Sequence, residues 1–360
     1  MSTATRAALW EKLRGAALVE GDPPQAGEAS SPWFIRVMLG FAGWLGALFL
    51  LGFVGAAFAF VFRSASAALF MGACACAAAI AIFRAAPKSD FMAQFGLAVS
   101  FAGQALILVG LGELFRTFDP RQFAFCFMLL EAALFVLVPN YLHRVLSALG
   151  AALAAGWLIV DVGLGAFAPA AITAAFLLLW LHEFQYPRHG ALIRAGGYGV
   201  ALASLVTTVV HGGLWFLFLA RYGHGAPAGG DAVQWLGRAA SLLVLVAAVA
   251  LLLRREGLGL ASGQGRVGLA AALVLGAASF KAPGVGPAAA ILVVGYANGN
   301  RVLAGLGIAA LVGYLSHYYY SMQTTLLFKS GLLAATGLAL FGARLALHYW
   351  WPQDREAIHA

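Results

Sequence analysis

From Met38 to Phe62 the chain carries no charged side chain, and the same holds from Val145 to Val160 and from Ala239 to Leu253. Runs of this kind reach or approach the ~20 residues that cover the hydrocarbon of a bilayer as a helix. Backbone N–H and C=O groups in lipid must be satisfied within the protein, which leaves helices or closed barrels. Strict alternation of apolar and polar residues would mark a barrel, but these runs are unbroken, so they predict helices. The rest of the composition agrees: 62% of the 360 residues are hydrophobic, 10% are charged, and the mean hydropathy is +0.88. A soluble globule of this length needs far more polar surface.

Twelve apolar segments are legible, at about 34–62, 65–83, 92–112, 122–138, 145–166, 168–183, 196–220, 236–253, 267–281, 287–299, 302–317 and 324–346. They predict an all-α polytopic transmembrane bundle of about twelve spans. The stretch 267–299 is the weakest, because KAPGVGP interrupts it. If those residues form a re-entrant hairpin, ten full crossings remain and the termini stay on one side.

Charge orients the bundle. With the N-terminus in the cytoplasm, Arg63, Arg116, Arg121, Arg221, Arg238, Lys281 and Lys329 fall on the far side, and the other fifteen of the 22 Lys and Arg residues fall on the cytoplasmic side. That excess follows the positive-inside rule and predicts that both termini are cytoplasmic. The net charge of +8 is therefore topological, dispersed singly through short connections, and does not predict nucleic acid as a partner. Residues 1–30 contain Glu11, Glu20, Asp22 and Glu28 and no long apolar core, so no cleavable signal peptide is expected.

One stretch recurs. RVLSALGAALAAGWL, from Arg144 to Leu158, returns as RVLAGLGIAALVGYL from Arg301 to Leu315, an offset of 157 residues. Phe58, Phe60 and Arg63 are echoed 158 residues later by Phe216, Phe218 and Arg221. The expectation is two parallel six-helix halves, 33–190 and 191–348, between cytoplasmic tails at 1–32 and 349–360. Chance self-alignment of Ala/Gly/Leu-rich sequence is the alternative.

In the first tail, Leu9, Trp10, Leu13 and Ala17 share a helical face beside Lys12 and Arg14, which suits a helix lying on the membrane surface. Trp33 and Arg36 suit the headgroup level at the start of the first span, and Tyr318, Tyr319 and Tyr320 suit an aromatic belt near the last. The abundant glycines, 44 in all, predict closely packed helices. Cys74, Cys76 and Cys126 lie in apolar runs and read as packing residues.

Ionisable and polar groups within apolar runs are the candidate functional residues. Glu131, in FCFMLLEAALFVLV, must be protonated or paired at mid-depth, either as a proton or cation site or as an interhelical hydrogen-bonding residue. Gln94 and Gln104 could partner it or bind helices together. Thr207 and His211, one turn apart, could line a polar pathway. Lys281 opens the KAPGVGP break, where freed backbone groups could receive an ion. Lys329 lies inside the last span and can snorkel toward the tyrosines. No phosphate-binding loop, nucleophile elbow or metal-ligand spacing is present, so neither an enzyme nor a cofactor is implied.

The runs LWEKLRGAALVEGDPP and SPWFIRVMLGFAGWLGALFLLGFVGAAFAF, with YYYSMQTTLLFKSGLLAATGLAL and Arg344 at the far end, resemble a bacterial family of multi-pass inner-membrane proteins, domain of unknown function 4401. The resemblance implies a cytoplasmic-membrane location. It also implies a smaller membrane-anchored partner, whose family is named for a GDYxxLxY motif. It carries over no activity. Two functions stay open: permease-like binding or transport of a small solute, ion or lipid, and a non-catalytic scaffold for that partner.

Overall fold

The computed structural model describes residues 3–16, 33–57, 64–87, 89–115, 119–183, 187–209, 231–280, 282, 284–321 and scattered positions between 325 and 341. His211, Lys281 and Lys329 lie outside the described residues, as do the side chains of Trp33 and Arg36. Every regular element among the described residues is helical: α1 (Thr3–Gly15), α2 (Trp33–Ala57), α3 (Ala65–Ala85), α4 (Asp90–Phe115), α5 (Pro120–Leu137), α6 (Tyr141–Ile159), α7 (Ala168–Leu181), α8 (Gly190–Val209), α9 (Asp231–Arg255), α10 (Gly263–Ala278), α11 (Val285–Ala297) and α12 (Arg301–Ser321). Among the described residues seven helical segments are long and apolar enough to cross a membrane. Their number and length mark the chain as a membrane protein.

Local chemistry starts and stops these helices. Ser64 Oγ accepts the amide of Ala67 at the head of α3, and Ser262 Oγ accepts that of Gly265 at the head of α10. Asn140 Oδ1 takes the His143 amide at 2.9 Å before α6, and Asn300 Oδ1 takes the Leu303 amide at 3.1 Å before α12. Each satisfies one of the N–H groups a helix start leaves orphaned. Between α6 and α7 the chain passes through a π-turn, Val160–Leu164, in which Gly163 sits at φ +81°. On one straight helix Gly156 and Ile172 would stand about 24 Å apart. Instead, a Cβ placed on Gly156 would lie 3.0 Å from Ile172 Cδ1. The 41-residue apolar segment Tyr141–Leu181 is therefore a helical hairpin and not one long span.

Contacts gather the chain into two units, residues 1–119 with 137–143, and residues 120–136 with 144–360. In the first unit α4 packs against α2 and α3 through glycine. A Cβ on Gly72 would stand 2.7 Å from Gly103 O, and one on Gly43 would stand 2.7 Å from Phe91 O. Lipid gives no hydrophobic drive between helices, so close backbone approach carries the association. In the second unit α11 is the centre. Its residues Val285 to Ile291 are all buried, and Ile291 and Val294 join Phe176 and Leu177 of α7, Ala201 of α8, Ala248 and Leu252 of α9 and Leu303 of α12 in one apolar cluster.

Candidate functional site

The second unit has two polar ends. At one, α7 and α11 finish while α8 and α12 begin, around a cavity of about 310 Å³. Gly299, at φ +63°, turns the chain tightly from α11 into α12 and places Asn298, Asn300 and Arg301 on the rim. Across from them, Glu183 and Arg194 form an ion pair in which Arg194 Nε and Nη2 both approach Glu183 Oε1, at 3.0 and 2.9 Å. The Glu183 carboxylate is 5% exposed, and burying it is offset by this paired donor geometry. Tyr198 bonds Asn300, and its ring meets Trp180 edge-on at 5.3 Å. Arg255, at the end of α9, donates from Nη1 to Asn298 Oδ1 at 3.2 Å.

Among the described residues two donors at this end have no partner. Trp180 Nε1 and Asn298 Nδ2 are buried without a hydrogen bond. The Arg255 bond fixes the Asn298 amide orientation, because a flipped amide would turn its NH2 toward a guanidinium. Arg301, which is exposed, also lines the cavity.

The opposite end is narrower. Ala166 and Pro169 before and within α7, Gln234 to Ser241 on α9, and Ser279 after α10 enclose about 50 Å³. Arg238 donates to Phe280 O at 2.9 Å and stacks on Trp235, which packs on Phe280. From Arg238 to Arg255, α9 rises about 25 Å. The apolar cluster around Ile291 and Phe176 fills the interval.

Glu131 belongs to neither cavity. It is 3% exposed, takes a side-chain hydrogen bond from Ser147 of α6, and lies within 3.3 Å of where a Gly150 Cβ would sit. Its Oε2 has no partner. Thr207 is buried against Gly156. Next to it the hydroxyls of Ser204 and Thr173 join α8 to α7 through a hydrogen bond at 2.7 Å, while Thr208 donates to the Ser204 backbone carbonyl within α8. Gln94 accepts from Trp44 Nε1 at 2.9 Å, which binds α2 to α4. Tyr318, Tyr319 and Tyr320 occupy the last turn of α12, with Tyr320 79% exposed.

A second polar cluster lies in the first unit. Ser100 Oγ and His143 Nε2 are 2.8 Å apart, both residues are fully buried, and Gln104 Nε2 donates to the same hydroxyl at 3.3 Å. Phe83 and Phe101 enclose the imidazole. This pair went unnoticed in the sequence because His143 falls between the expected segments 122–138 and 145–166. Glu183 and Tyr198 fall at the ends of the expected segments 168–183 and 196–220, and Arg194 falls between them.

A family model described as domain of unknown function 4401 matches residues 32–350. The chain belongs to that family. The match takes in both cavities and every helix from α2 to α12. No curated protein and no solved structure matches the chain.

Proposed function

We propose that this chain is a permease-like protein of the bacterial cytoplasmic membrane, not an enzyme, and that it takes a small solute into the cavity bounded by Glu183, Arg194, Asn298 and Arg301. The observation that carries the reading is the arrangement of the second unit, in which a polar cavity at one end faces a narrower polar end across an apolar layer. A permease between its open states has this form: hydrated ends and a dry middle that side-chain and helix shifts can open.

Side assignment supports it. Arg255 with Asn298, Tyr198 with Asn300 and Glu183 with Arg194 all join connections that a twelve-span, termini-inside topology puts in the cytoplasm. Arg121 with Asp161 and Arg238 with Phe280 join connections it puts outside. Ser279, just after α10, lies beside Ala166 and Pro169 at the start of α7, which supports α10 and α11 as two separate crossings. The repeat has support too. Gly150 and Gly307, 157 residues apart, each press the recurring helix against its predecessor, at Glu131 in one copy and at Leu292 in the other. Each recurring helix is also the fifth described from residue 33 or from residue 190.

The test is thiol access in a variant free of the native cysteines. Ile291→Cys, in the apolar layer, should react with a small water-soluble thiol reagent as the protein cycles, more slowly than Gly299→Cys on the cavity rim. Complete protection at Ile291, while the rim position reacts fully, would overturn the permease reading. It would favour a scaffold for a membrane-anchored partner, to which the enclosure of Glu131 by Ser147 and Gly150 already fits.

A further inference from the structure

Resting on the permease reading, we propose that Glu131 is a proton-binding site, and that its carboxyl exchanges the proton with water only when α5 parts from α6. The surroundings set the terms. Glu131 is 3% exposed, its side chain is hydrogen-bonded to Ser147 of α6, and among the described residues its Oε2 has no partner. An ionised carboxylate sealed within a span needs an opposite charge or several donors. One hydroxyl is what α6 supplies.

The contacts of Glu131 and Phe135 place α6 and α8 against α5. On α6, His143 is bonded to Ser100, and Arg144, one turn before Ser147, has a buried Nε that is also without a partner among the described residues, so it does not reach Glu131 Oε2. On α8, Arg194 is held by Glu183 and Tyr198 by Asn300. On α5 itself, Arg121 pairs with Asp161. Helix α7, which meets Gly196 of α8 through Leu179, carries no charge. The acid form fits where the ion does not. It donates through Oε1 to the Ser147 oxygen and leaves Oε2 as a carbonyl, the backbone-like acceptor that buried sites most often leave unpaired. After release the same hydroxyl turns and donates to the carboxylate, so Ser147 serves both forms.

Gly150 makes the seal. A Cβ there would stand 3.3 Å from Glu131 Oε1, so water reaches the acid only if the two helices separate. Helix α6 cannot move alone. A Cβ on Gly199 of α8 would stand 2.5 Å from Val145 O and 2.8 Å from Leu149 N, and Ala201 of α8 packs in the cluster that holds Ile291. Hydration of Glu131 and opening of the apolar layer are thus joined through α6 and α8. An acid with a purely structural role would be sealed in the same way; exchange separates the two.

The experiment uses the full chain in an uncharged maltoside detergent. Infrared difference spectra of the chain against Glu131→Gln isolate the carbonyl band of this one protonated acid. We expect the band at low pH, its replacement by carboxylate bands as pH rises, and its shift in heavy water as the proton exchanges. Ser147→Ala should move the band without removing it. Absence of the band at every pH, or a band that neither titrates nor shifts in heavy water, overturns the proposal. In parallel, the reactivity of Ile291→Cys is divided by that of Gly299→Cys, which removes the thiol's own response to pH. With one proton released on opening, this ratio should rise about tenfold per pH unit below the titration midpoint. Glu131→Gln should hold it low at every pH. A ratio indifferent to pH, or to Glu131→Gln, overturns the coupling. No reaction at Ile291→Cys under any condition removes the permease reading and the coupling with it, while the infrared band still decides whether Glu131 exchanges a proton.

Discussion

Tyr198 and Asn300, 102 residues apart in the chain, share two hydrogen bonds: the phenol donates to Asn300 Oδ1 at 2.9 Å and accepts from Asn300 Nδ2 at 2.8 Å. The same Oδ1 caps α12 through the Leu303 amide. One side chain thus ties α8 to the α11–α12 turn and starts a helix.

Asn300→Ala should cost about 2 kcal/mol, since it removes a helix cap and leaves the tyrosine hydroxyl without its partner. Asn300→Asp keeps the capping oxygen and should cost about half as much. Unfolding in detergent by a graded denaturant reads both; equal losses would mean that the cap contributes nothing.

Ser100 and His143 should behave as a coupled pair. Ser100→Ala removes the hydroxyl that His143 Nε2 and Gln104 Nε2 share, and His143→Phe leaves that hydroxyl with the Gln104 amide alone; each should destabilise by about 1–3 kcal/mol. The double variant should lose less than the sum of the two, because the Ser100–His143 bond is then removed once and not counted twice. A double-mutant cycle measures the difference, and strict additivity would deny the bond any energetic role.

Glycine packing in the first unit is testable at one methyl group. Gly103→Ala would place a Cβ 2.8 Å from Gly72 O and 2.9 Å from Cys76 N, so α3 and α4 must separate. We expect a loss of about 1–3 kcal/mol. Gly52→Ala, with nothing within 4 Å, should be neutral. Thermal unfolding of the two proteins, side by side, is sufficient.

Sidedness follows from the proposed topology. In a cysteine-free background, Gly259→Cys between α9 and α10 should be labelled by an impermeant reagent only from the cytoplasm. Asp119→Cys before α5 should be labelled only from the outside. Labelling of both from one side would break the alternation of loops.

Much of the fold could be read from the chain because hydrophobic length alone positions a membrane helix: 65–83, 168–183 and 236–253 lie within a few residues of α3, α7 and α9. Ends were harder to place where polar residues continue a helix. Asn140 caps α6, which begins four residues ahead of the expected segment and so takes in His143. The cavity was not legible, because its lining comes from Trp180 and Glu183 at the end of α7, from Arg194 and Tyr198 of α8 and from the 298–301 turn, and their meeting depends on packing rather than on any local pattern. Glu131 drew attention as a lone acid in an apolar run. Its actual surroundings, Ser147 and Gly150, belong to another helix. The bond from Arg255 to Asn298 Oδ1 joins residues 43 apart, a pairing that no local pattern in the chain announces.

The burial of α11 bears on how the protein is made. Over Val285 to Ile291 no face is left for acyl chains, so the bilayer itself offers this stretch no lasting residence. Its hold on the membrane comes from α7, α8 and α9, all synthesised earlier, and from α12, which follows it. Biogenesis therefore has an order: the ribosome must deliver α11 and α12 as a pair to a socket already built, and truncation just after Ala297 should leave a nascent chain that quality-control proteases remove.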